Sequence, residues 1–152
     1  DPGSDPDVQV YHKLLGQRAE GWPLKLSGRG LTRALLEGIS TAFKVVSEGA
    51  DAVLVEGSCD LSAKQSQRVA DALDAKIVVV ARYGHDLSAS QLKGWREALG
   101  NRLVGFVING LTRYMGNDAR VELLPSMEAE GLVCLGLVPE DRRLLVADRD
   151  SF

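Results

Sequence analysis

Val53-Leu54-Val55-Glu56-Gly57-Ser58 brings an apolar run to an abrupt end in a carboxylate, a glycine and a serine. That order of residue types predicts a buried parallel strand whose carboxyl end carries Glu56 into a crevice, followed by a tight turn. A carboxylate so placed can hold Mg²⁺ or move a proton, or it can simply cap a neighbouring loop. A second group follows a later apolar run: Arg82-Tyr83-Gly84-His85-Asp86 puts a cation, an aromatic ring and an imidazole together, either as a pocket or as a solvated loop. Cys59, just past Glu56, has neither His12 nor His85 near it in sequence to activate it as a nucleophile. Cys134 lies inside an apolar run and reads as a small core residue. The sequence holds no G-x-x-x-x-G-K-[ST] loop, the element that cradles phosphates beside such a carboxylate.

The elements that must position these groups follow from periodicity. Ala52–Glu56, Lys76–Ala81, Leu103–Asn109 and Val133–Val138 are nearly continuous apolar runs, as expected of strands covered on both faces. Between them the amphipathic stretches Leu31–Glu48, Ala63–Leu73, Ser88–Leu99 and Asp118–Glu130 predict helices. Gly49 is placed to end the first, Asp86 or Ser88 to cap the third, and Gly100 and Gly131 lie beyond the last two. Alternating helix and strand with short links implies an α/β fold with a mostly parallel sheet, right-handed crossovers and helices on both faces. Val8–Leu15 predicts a short helix after Asp5 or Asp7, and Gln17–Gly30 a loop. Trp22 and Trp95 read as packing residues, with Trp95 covering the sheet or meeting a partner. The expected organisation is one domain over residues 1–143, with 144–152 as a tail or the start of a linker.

The chain has 152 residues, enough for one domain with a substantial core. Its formal net charge of −3 gives no electrostatic reason to expect nucleic acid or an anionic membrane as partner. No apolar run approaches the roughly 18–20 residues that span a bilayer. Two isolated cysteines make neither a disulfide scaffold nor a zinc site and fit a reducing cytoplasm. Asp1 in place of an initiating Met suggests a processed or truncated chain.

Several segments together resemble the dethiobiotin-synthetase-like branch of the P-loop NTPases, in the form found as the N-terminal domain of bacterial phosphate acetyltransferases. They are Asp5-Pro6-Asp7 with Tyr11–Gly16, Gly49–Gly57, Ala70–Ala75, Val104–Asn109 and Leu135–Arg142. The resemblance implies a three-layer α/β domain of the P-loop NTPase type, here without the strand and loop that bear the phosphate site. It implies that Glu56 and Asp7 are the acids that hold Mg²⁺, although Asp7 also suits the N-cap of the helix beginning near Val8. It implies that Asn109 reads adenine, its amide able both to donate and to accept, although Asn109-Gly110 is by itself a strong turn signal. It implies that Val138, Pro139 and Glu140 lie along the base, where Pro139 would in any case stop the strand ladder.

Two functions follow as expectations. One is a non-catalytic regulatory or interaction domain that binds a nucleotide or another small molecule, related to the phosphate acetyltransferase domain. The other is a fragment of a synthetase dependent on ATP and Mg²⁺, a carboxylase or ligase like dethiobiotin synthetase or an amidotransferase like cobyrinate diamide synthase. In either case the slot beside the Ala52–Glu56 strand is expected to be filled by an N-terminal segment or by self-association.

Overall fold

A computed structural model describes residues 30–57, 61–84 and 86–141 of the chain. It divides into two compact units, with the boundary between Asp74 and Ala75. The predicted Val8–Leu15 helix, Asp7, Cys59, His85 and Trp22 lie outside the described residues.

The first unit is helical. Helix α1 (Arg33–Ser47) starts where the Thr32 hydroxyl accepts a hydrogen bond from the Leu35 N–H at 3.2 Å. It ends at Glu48, and Gly49 then takes φ +76°, a left-handed conformation that glycine adopts without a Cβ clash. Helix α2 (Ala63–Leu73) opens with a capping box: Ser62 and Gln65 satisfy each other's backbone N–H groups. It closes on Asp74, in left-handed conformation, whose N–H returns to the carbonyls of Ala70 and Asp71. The two helices pack together, and among the described residues of this unit Leu31, Ile39, Ala70 and Leu73 are the buried apolar ones.

The strand expected at Ala52–Glu56, between α1 and α2 in the chain, is not formed. Residues 52–57 form no strand. Leu54 is 98% exposed, so the apolar run is not a buried central strand. Apolar, β-branched composition favours a strand, but a strand exists only where a neighbour supplies a ladder of backbone groups.

The second unit is an open sheet of three parallel strands, β1 (Ile77–Arg82), β2 (Leu103–Leu111) and β3 (Cys134–Pro139), in that spatial order. Helix α3 (Ala89–Leu99) connects β1 to β2. Its N-cap is Ser88, in a capping box with Gln91, and Gly100 closes it. A composite helix, α4, connects β2 to β3. It is α-helical over Met115–Asp118, π-helical over Ala119–Leu123 and α-helical again over Leu124–Ala129. Pro125 accounts for the wide turn: it offers no N–H to the carbonyl four residues back, and its ring pushes that carbonyl away.

The core lies on one face of this sheet. Phe106 and Ile108 of β2 meet Leu92 of α3 and Ala119, Leu123 and Met127 of α4, with Val79, Ala81, Cys134 and Leu137 packed alongside. The intervening strand residues face the other way: Val78, Val80, Leu135 and Val138 are 42–63% exposed. The expectation of helices on both faces therefore fails in this unit, and the reason is topological. Strands laid down in the order β1, β2, β3 advance in one direction, so two right-handed crossovers put both helices on the same face. Trp95, on α3, is half exposed and outside the core cluster.

Candidate functional site

The carboxyl edge of an open parallel sheet is where such folds bind ligands, because helix N-termini and loops converge there. In the second unit this edge is built from Arg82, Asn109 and Val138, which are register neighbours on β1, β2 and β3. Four residues that the sequence marked for nucleotide binding are thus brought together. Asn109 pairs with Val138, Leu111 with Pro139, and the Glu140 N–H donates to the Leu111 carbonyl at 2.8 Å. On the other side the Tyr83 N–H donates to the Asn109 carbonyl at 2.7 Å and extends the β1–β2 ladder by one residue.

Gly110 shapes the edge. The β2–β3 pairing is irregular between Asn109 and Leu111, and Gly110 takes φ +76° there. The Gly110 N–H turns back and donates to Asn109 Oδ1 at 2.8 Å. That bond fixes the amide with one oxygen lone pair occupied and both Nδ2 hydrogens directed away from it. Asn109 is exposed, and among the described residues its Nδ2 donates to no protein acceptor. The Asn-Gly pair thus acts as a bulge within β2 rather than as the turn that ends it.

The Tyr83 side chain is half-buried and packs against the core. Burial, and secondarily the carboxylates of Asp118 and Glu122 on α4, push its phenol above the usual value of 10.0, so it stays a neutral hydroxyl at physiological pH.

The two acids expected to hold Mg²⁺ are not assembled into a site by the described residues. Asp7 lies outside them, and Glu56 is exposed in the irregular segment of the first unit, not at a strand end. Among the described residues no group of three His, Cys, Asp or Glu side chains is placed to hold a metal ion.

A cavity of about 710 Å³ lies at the opposite, amino edge of the sheet, lined by residues that include Lys93, Arg96, Asn101, Gly105 and Glu130. Its cations are already engaged. Lys93 Nζ is 2.6 Å from Glu130 Oε2, which raises the lysine's pKa, and Arg96 donates to the Gly131 carbonyl. The carboxyl edge, with donors still free, is the better candidate.

No family model matches this chain, and no solved structure matches it. What stands is a small α/β chain built on a three-stranded parallel sheet. Among the described residues no helix is long and apolar enough to cross a membrane.

Two positions matter more in the structure than their sequence context indicates: Asn109-Gly110 reads as a turn signal, and Gly105 is one residue of an apolar run. A Cβ on Gly105 would sit 2.7 Å from the Val133 carbonyl oxygen and 2.8 Å from Leu135 Cγ, so only glycine lets β3 approach β2 there. The signal was available: a glycine inside a strand pattern marks a bulge or a close approach of backbones.

Proposed function

We propose that this chain is a non-catalytic regulatory domain that binds an adenine nucleotide at the carboxyl edge of its parallel sheet. The observation that carries the reading is the β2–β3 register, which sets Asn109 beside Val138 and brings Pro139 and Glu140 to the same edge. The amide keeps two donors and one lone pair, enough to donate to and accept from one edge of a base. The exposed Val138 offers an apolar surface for the ring. The resemblance to the N-terminal domain of phosphate acetyltransferases supports the same placement and the regulatory role.

Calorimetric titration of the chain with adenosine, ADP and Mg-ATP tests this. Saturable heat is expected, reduced about five- to tenfold in affinity by Asn109→Ala, the loss of one or two modest hydrogen bonds. Phosphate release from Mg-ATP should proceed no faster than in buffer. No heat with any of the three ligands removes the reading, and protein-dependent phosphate release replaces it with the synthetase alternative.

A further inference from the structure

We propose that Arg82 is the phosphate-binding residue of this edge, holding the nucleotide's phosphates at the end of β2 beside Asn109. The inference rests on the carboxyl-edge reading and adds to it an anion contact.

Arg82 ends β1 as the register neighbour of Asn109, and both are exposed. Its side chain does not simply extend into solvent. It crosses the end of β2, with Cγ 3.4 Å and Nε 3.8 Å from the point a Cβ on Gly110 would occupy. The arginine stem thus lies within van der Waals distance of the bulge, on the Asn109 side of the edge. Acidic neighbours do not quench it. Asp118 and Glu122 act on Tyr83, the next residue, and Glu140 lies at the end of β3, yet among the described residues Arg82 forms no ion pair or hydrogen bond with any of them. A guanidinium carries five donors, no acceptor and a permanent charge, and its fork matches two phosphate oxygens. An unengaged guanidinium beside an amide that presents its donors is an arrangement for an oxyanion.

The test compares adenosine with ADP by calorimetry at one low ionic strength, on the wild-type chain, Arg82→Gln and Lys44→Gln. Lys44 is an exposed residue of α1, and its substitution makes the same change in charge. Wild type is expected to bind ADP at least tenfold more tightly than adenosine. Arg82→Gln should bring that ratio close to one, and Lys44→Gln should preserve it. If adenosine binds but ADP binds no more tightly, the arginine inference fails while the base-binding reading survives. If the two variants lower the ratio equally, the preference is general charge attraction and the inference also fails. If neither ligand binds, both fail together.

Discussion

Gly110 sets the backbone shape of the carboxyl edge. It takes φ +76° in the β2 bulge, a left-handed conformation that costs an L-residue. Gly110→Ala should therefore destabilise the chain by about 1–2 kcal/mol, the usual penalty of a left-handed L-residue, read as a lower urea midpoint. A second residue-scale expectation concerns Tyr83. Its phenol is held above 10.0 by burial and by Asp118 and Glu122. A raised folded-state pKa contributes stability that is complete below the unfolded value, near pH 10, and lost as pH rises through the folded value. Urea midpoints for wild type should fall across that alkaline range. Tyr83→Phe, with no proton to lose, should remove that part of the decline, and an unchanged decline would show that other groups cause it.

At the scale of elements, local chemistry sets the helix boundaries. Ser88 and Gln91 satisfy each other's backbone donors at the start of α3, as Ser62 and Gln65 do for α2. Ser88→Ala should cost about 1 kcal/mol, measured by denaturant unfolding, whereas Ser88→Asp should retain most of the stability. These ends were legible in the sequence because a cap needs only residues three positions apart. The predicted α2 span is the one observed, and the start of α3 falls at one of the two caps proposed. The last helix was less legible. Periodicity starts it at Asp118, but it begins at Met115 and carries a π turn ahead of Pro125, which a regular 3.6-residue pattern cannot represent.

For the molecule as a whole, the decisive feature is the asymmetry of the sheet. Val79 and Val80 are adjacent and chemically identical, yet Val79 packs on the core cluster while Val80 is 63% exposed on the opposite face. Val79→Lys should unfold the second unit, because a charge would have to enter an apolar core or the packing would have to open. Val80→Lys should leave far-UV circular dichroism unchanged and shift stability by no more than about 0.5 kcal/mol. Equal effects of the two would mean that the second face is also buried in solution. The strand sequence could not reveal this difference. A run such as Ile77-Val78-Val79-Val80 carries no alternation, so it is compatible with burial on one face or on both.

The sequence by itself determined an α/β chain with parallel strands, placed three of its four expected strands correctly, and set Val138, Pro139 and Glu140 at a strand exit. These follow from side-chain periodicity, capping and proline geometry, all of which act over a few residues. Only the tertiary structure decided that residues 52–57 stay out of the sheet, that both crossover helices cover one face, and that Arg82 comes to lie across Gly110 beside Asn109. Each of those depends on which backbone a strand finds as its neighbour, and a ladder partner is chosen by contacts between residues far apart in the chain.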